Sequence, residues 1–159
     1  MAASVPRVVL DTNVCLDLFV FDDPRCAGIR AALREGAVEA VTCAACEDEW
    51  REVLCYPQLA LEPGARRRAS VAFEALVRRL PVTDLAAAVP RCADPDDQKF
   101  LVLAACVGAR WLLSRDRALL ALSRRSLRQC GFAVVAPQEW PAPFGRPDAL
   151  GYGLSAKPV

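Results

Sequence analysis

Four short stretches of this chain, residues 7–10, 38–42, 111–114 and 132–136, are rich in β-branched and large apolar residues, with little polar alternation. A strand that is apolar on both faces must be covered on both faces. Such strands belong to parallel sheets, whose crossover connections lay helices over each side. The intervening segments supply those helices. Residues 24–35 have helical spacing, with Asp22 or Asp23 as N-cap and Gly36 just past the end. Residues 44–54 place Cys46, Trp50, Val53 and Leu54 on one side and stop before Pro57. After a turn-rich stretch at 57–64, a long helix is expected over residues 65–79, its stripe carried by Val71, Ala75 and Leu76. Residues 81–83 read as a short strand or connector. Asp94, Pro95, Asp96 and Asp97 open another helix, with Phe100, Leu101, Ala104 and Val107 on its apolar face and Gly108 at its close. The strand at 111–114 runs into a short helix ending near Leu122. This alternation predicts an α/β fold: a three-layer α/β/α sandwich on a mainly parallel sheet of four or five strands.

At 159 residues, 54% of them apolar, the chain has room for one compact core. Residues 1–140 read as that domain, and the Pro/Gly-rich residues 141–159 as a loosely held tail. No charge-free run exceeds ten residues, against the roughly twenty apolar residues of a spanning helix. The start, MAASVPRVVLD, reaches an acid too early for a secretory leader. A cytoplasmic protein without a membrane role is expected.

The formal charge of +1 gives no global basic field. Eighteen of the twenty basic residues are Arg, and they cluster at Arg66, Arg67 and Arg68, at Arg78 and Arg79, and at Arg124 and Arg125 with Arg128. The planar guanidinium suits phosphate, so Arg66, Arg67, Arg68, Arg124 and Arg125 are candidate contacts for a nucleic-acid backbone; solvated helix faces are the alternative. The eight cysteines are scattered through apolar runs and read as buried free thiols. Cys43 and Cys46 form a single CxxC; with no second pair and no histidine, a structural zinc site is not expected.

The chain contains no histidine. That removes Ser-His-Asp and Cys-His nucleophiles, the HExxH metalloproteases and His-paired RNA transesterification. Acid–base chemistry at neutral pH would fall to carboxylates, other side chains or a metal-bound water.

Ligands of open parallel sheets bind at the carboxyl ends of the strands. Asp11 and Asp116 follow two of the apolar strands, in VVLD and WLLSRD. Asp97 lies three, four and seven residues before Phe100, Leu101 and Ala104, on the inward stripe of its helix, where an uncompensated carboxylate is costly. Glu49 borders the apolar side of its helix, three after Cys46 and four before Val53. Each acid singly also fits an N-cap or a solvent-facing position. Four acids with no matching buried base imply a shared hard cation, Mg²⁺ or Mn²⁺ rather than zinc. Such a cluster suits metal-assisted phosphodiester hydrolysis.

VVLDTNV (8–14), EWREVLCYPQL (49–59), DPDDQKFLVLA (94–104) and LLSRDRALL (112–120), closed by FAVVAPQEW (132–140), together resemble a PIN domain. The likeness is to the branch that supplies the toxins of type II toxin–antitoxin pairs, VapC-like ribonucleases. It covers about residues 6–140 and leaves the tail unmatched. The resemblance implies Asp11, Glu49, Asp97 and Asp116 as catalytic metal ligands, with Thr12 or Asn13 orienting Asp11 and Ser114 supporting Asp116. Asp94 and Asp96 are alternatives for the third acid; Asp97 is preferred because only it shares the stripe of Phe100 and Leu101. Glu47 is the corresponding alternative to Glu49. The implied activity is endonucleolytic cleavage of single-stranded RNA by metal-activated water, leaving a 5′-phosphate and a 3′-hydroxyl, with one or two ions. A cognate antitoxin protein and a homodimer are implied partners. A catalytically weak scaffold that binds RNA or protein is the main alternative. A haloacid-dehalogenase-like phosphatase needs an acid where Asn13 stands, and a phosphorelay receiver needs a late lysine that Lys99 and Lys157 fit poorly.

Overall fold

The computed structural model describes residues 4–82 and 88–140. The expected tail at 141–159, and Thr83 at the end of the expected connector, lie outside these residues. Among the described residues a five-stranded parallel sheet has the order β3-β2-β1-β4-β5. Its strands are β1 (Arg7–Leu10), β2 (Glu39–Thr42), β3 (Val77–Arg79), β4 (Trp111–Leu113) and β5 (Ala133–Val135).

Side chains alternate across each strand, and in β1, β2 and β4 both sides are buried, as the lack of polar alternation required, whereas the edge strand β3 leaves Arg78 and Arg79 exposed. Val8, Leu10, Ala40, Trp111 and Leu113 face one core; Val9, Val41, Leu112 and Val134 face the other. The first core is covered by α1 (Thr12–Phe19), α2 (Ala27–Arg34), α3 (Ala44–Leu54) and α4 (Pro63–Leu76). Trp50 of α3 stacks on Phe73 of α4 with ring centroids 5.0 Å apart, and Phe19 of α1 meets both edge-on. The second core is covered by α5 (Gln98–Cys106) together with α6 (Arg117–Leu120). A further helix, α7 (Ser123–Cys130), ends at Gly131, whose φ of 86° is the left-handed conformation that glycine adopts freely. This is the three-layer α/β/α sandwich expected from the alternation.

The elements differ from the sequence reading in five main places, the first being α7, which lies beyond the short helix expected to end near Leu122. The helix expected over residues 24–35 is a 3₁₀ turn, Pro24–Cys26, capped by Asp23, followed by α2. The stretch left unassigned after Asp11 is helix α1, six of whose eight residues are buried, so no amphipathic period marks it. The long helix expected over 65–79 runs instead from Pro63 to Leu76, and its last expected turn is strand β3. Pairing decides that change. Ala40, Val41 and Thr42 of β2 take Val77, Arg78 and Arg79 as parallel partners, satisfying backbone groups that an edge strand would leave open. The helix buries Ala69 and Phe73, while Val71 and Ala75, both expected in the stripe, are exposed and Leu76 is half-buried. Finally, residues 81 and 82 carry no regular element. Among the described residues no helix is long and apolar enough to cross a membrane.

Candidate functional site

In the order β3-β2-β1-β4-β5 the chain leaves β1 toward one edge and returns at β4 toward the other. The crevice at such a switch point, beyond the carboxyl ends of β1 and β4, is where parallel sheets bind ligands. Asp11 and Ser114 stand there side by side, tied by a backbone hydrogen bond from Asp11 N–H to Leu113 C=O of 3.1 Å.

Asp11 is 4% exposed and serves as N-cap of α1, its Oδ1 accepting from Val14 N–H at 2.9 Å. Its Oδ2 accepts from Ser114 Oγ at 2.5 Å. Ser114, fully buried, accepts in turn from Asp116 N–H at 2.9 Å. Burial raises the Asp11 carboxyl from 3.8 to about 6, against the lowering pull of Ser114, Val14 and Arg115. Asp116 occupies the N-cap position of α6 without using its carboxylate as a cap. That carboxylate instead hydrogen-bonds the carboxyl of Asp97, which closes the 3₁₀ turn Pro95–Asp97 leading into α5. Burial, contact with Asp116 and the charge of Asp94 raise Asp97 to about 7. Two carboxyls in contact favour one shared proton or one shared cation.

Asp94 lines the same cleft and caps the 3₁₀ turn, accepting from Asp96 N–H at 3.0 Å. Asp96 is exposed and does not line the cleft; its carbonyl accepts from Lys99 Nζ. Glu49 reaches the cleft from α3, whereas Glu47, one turn-face away, is buried against Arg51 at 2.7 Å and Arg79 at 3.7 Å. The cleft, about 430 Å³, is lined by Asp11, Glu49, Asp94, Asp97 and Asp116 together with Thr12, Asn13 and Arg115. A larger cavity of about 950 Å³ lies at the opposite ends of the strands, at Arg7, Glu39, Arg78 and Arg110, and contains none of these acids.

Two side chains of the cleft, Thr12 and Arg115, and one that contacts its Glu49, Lys99, have roles the sequence did not convey. Thr12, a candidate partner for Asp11, donates its hydroxyl to Glu49 Oε2 at 2.6 Å. Lys99 lies 2.5 Å from Glu49 Oε1, so the premise of an acid cluster without a matching base is corrected. Arg115 bridges to the buried Asp17 at 2.6 and 3.2 Å and places a positive charge beside Asp11. Asp17 carried a usable signal, a lone acid inside the apolar run VCLDLFV. The candidate RNA contacts stand elsewhere: Arg66, Arg67 and Arg68 on α4 and Arg124 and Arg125 on α7, none lining the cleft.

The donor set is oxygen only and acids outnumber bases, the chemistry that suits a hard divalent cation. As they stand, however, no three acidic side chains among the described residues converge closely enough to hold one ion. Glu49 is turned to Lys99 and Thr12, and Asp97 and Asp116 to each other.

The family model described as PIN domain matches residues 7–118, a span that takes in every acid of the cleft. Among solved structures, the chain resembles "VapBC2 from Rickettsia felis bound to a DNA fragment from their promoter", with a TM-score of 0.53 and 9% identity over 80% of this chain and 96% of that one. No curated protein matches the sequence.

Proposed function

This chain belongs to the PIN domain family, and on that premise we propose that it is a divalent-metal-dependent endoribonuclease, the toxin of a toxin–antitoxin pair. The observation that carries the reading is the contact between the Asp97 and Asp116 carboxyls beside the buried Asp11, whose own carboxyl burial raises to about 6. A site built to concentrate negative charge at the mouth of a parallel sheet is stabilised by a cation. Asp11, Glu49, Asp97 and Asp116 would hold Mg²⁺ or Mn²⁺, one ion or two. When bound, such an ion supplies a water nucleophile at neutral pH and offsets charge on the phosphate.

The remaining groups prepare the cleft. Ser114 and Val14 N–H hold the two oxygens of Asp11 in one rotamer. Thr12 keeps Glu49 oriented when Lys99 leaves it, and Lys99 is then free to meet a phosphate oxygen. Arg115, at the rim, adds a second positive group for the RNA backbone, and Asp94 an outer acid. Cleavage would leave a 5′-phosphate and a 3′-hydroxyl, with single-stranded RNA as substrate because unstacked strands enter a recessed cleft. The cytoplasmic setting, the antitoxin partner and a homodimer belong to the same proposal, to which the fold shared with the VapBC2 assembly lends support.

The Lys99–Glu49 ion pair favours a second reading, in which the cleft is self-neutralised and the protein binds RNA without cutting it. Comparing wild type with Asp11→Asn on a single-stranded RNA in Mn²⁺ separates the two. The nuclease reading expects cleavage to fall by about 100-fold or more, the order that removal of one preorganised charged group costs. Equal rates in the two proteins defeat it, and RNA binding without cleavage in both supports the scaffold.

A further inference from the structure

Cys43 and Cys46 take no part in the chemistry above, yet they are placed as a pair. Cys43 is the N-cap residue of α3 and Cys46 lies in its first turn, with the two sulfurs 3.7 Å apart. A disulfide brings sulfurs to about 2.05 Å, so the two sulfurs already stand in van der Waals contact, one bond-forming approach apart. The two thiols are also unequal. Sharing a proton with Cys46, helped by the N–H groups of Cys46 and Ala45 and the charge of Arg79, lowers Cys43 from 9.0 to about 6 against the opposing effect of burial. The same sharing and its deeper burial push Cys46 upward. Cys15, Cys26 and Cys92, buried without such a neighbour, are all shifted up. One thiol is thus poised to attack and the other to resolve.

Access follows the same order. Cys43 lines a surface cavity of about 620 Å³ with Arg79, Leu80, Pro81 and Val82, among the described residues. Cys46 does not line it. Arg79 at this cavity suits a reagent that carries carboxylates.

We propose that Cys43 and Cys46 form a redox-active dithiol that exchanges with anionic low-molecular-weight disulfides of the glutathione class. The Cys43 thiolate attacks one sulfur of the external disulfide, forming a mixed disulfide and expelling one thiolate. Cys46 then loses its proton to solvent and attacks the Cys43 sulfur, expelling the second thiolate. Two protein thiols are oxidised to one disulfide, and one external disulfide is reduced to two thiols. The proposal stands apart from the nuclease reading, since neither cysteine belongs to the acid cleft.

The test uses the full chain and glutathione disulfide, followed by peptide mass mapping. Oxidation should remove the mass of two hydrogens and link Cys43 to Cys46. In Cys46→Ser, a single glutathione adduct should accumulate on Cys43. In unmodified protein at neutral pH, iodoacetamide should label Cys43 about tenfold or more faster than the exposed Cys55, a comparison that depends on no variant. Labelling of Cys43 no faster than Cys55, or glutathione found first on another cysteine, overturns the proposal.

Discussion

Ser114 and Asp11, 103 positions apart in sequence, share a hydrogen bond of 2.5 Å at the mouth of the sheet. The serine has no exposed surface, and its oxygen also accepts from Asp116 N–H at 2.9 Å. One hydroxyl therefore orients the central acid and the loop that carries its neighbour. Ser114→Ala would leave Asp11 Oδ2 and Asp116 N–H short of a partner. A loss of about 1–3 kcal/mol is expected in urea unfolding of the metal-free protein. A change within about 0.5 kcal/mol would mean that the hydroxyl orients nothing.

Stability of the metal-free protein should fall as pH rises through the neutral range. Asp11 and Asp97 hold their protons more tightly folded than unfolded, with carboxyls raised to about 6 and about 7. Between about pH 4 and 7 the folded state therefore binds more protons than the unfolded one, and their contribution is full below pH 4 and lost above pH 7. For the buried Asp11 it is on the order of 2–3 kcal/mol. Melts from pH 5 to 8 check this, and Asp11→Asn should flatten the slope. An unchanged slope in that variant would remove Asp11 as its source.

Mn²⁺ or Mg²⁺ should reverse the trend. A ligand that binds only the native state adds about 2.7 kcal/mol at 100 times its Kd, so the melting temperature should climb with cation concentration, most steeply above pH 7. Lys99 competes for Glu49 at 2.5 Å, and Lys99→Gln is expected to tighten Mn²⁺ binding several-fold, to about tenfold. Isothermal titration reads this directly. Weaker binding in that variant would show that Lys99 supports the cation rather than competing with it.

Arg115 pairs with Asp17, whose side chain is only 5% exposed. Arg115→Ala strands that carboxylate and should cost about 1–3 kcal/mol, less than a fully buried pair because the guanidinium is 35% exposed. Asp17→Asn in the same chain should restore most of the loss, giving a positive coupling in the double-mutant cycle. Additive losses would mean the bridge contributes nothing.

Much of the architecture could be read from residue order. The apolar runs at VVL and WLL announce strands covered on both sides, and the acids that follow them announce the ligand-binding ends. Helix α1 escaped because burial around most of its circumference erases the period that reveals a helix. Strand β3 escaped because its three residues continue the local preference of α4. At Glu49 the surrounding acids Glu47, Asp48 and Glu52 hide which one turns inward; the Arg51 and Arg79 pairs of Glu47 are invisible without coordinates.

What the chain determined by itself is therefore the alternation of strand and helix, the absence of imidazole chemistry and the supply of acids at strand ends. Those follow from hydrophobic period and residue type, which act over a few neighbours. Tertiary structure alone decided that β1 lies against β4, that Asp97 meets Asp116, and that Lys99 settles on Glu49. Strand pairing and side-chain encounters join segments distant along the chain, and only packing of the two cores selects among them.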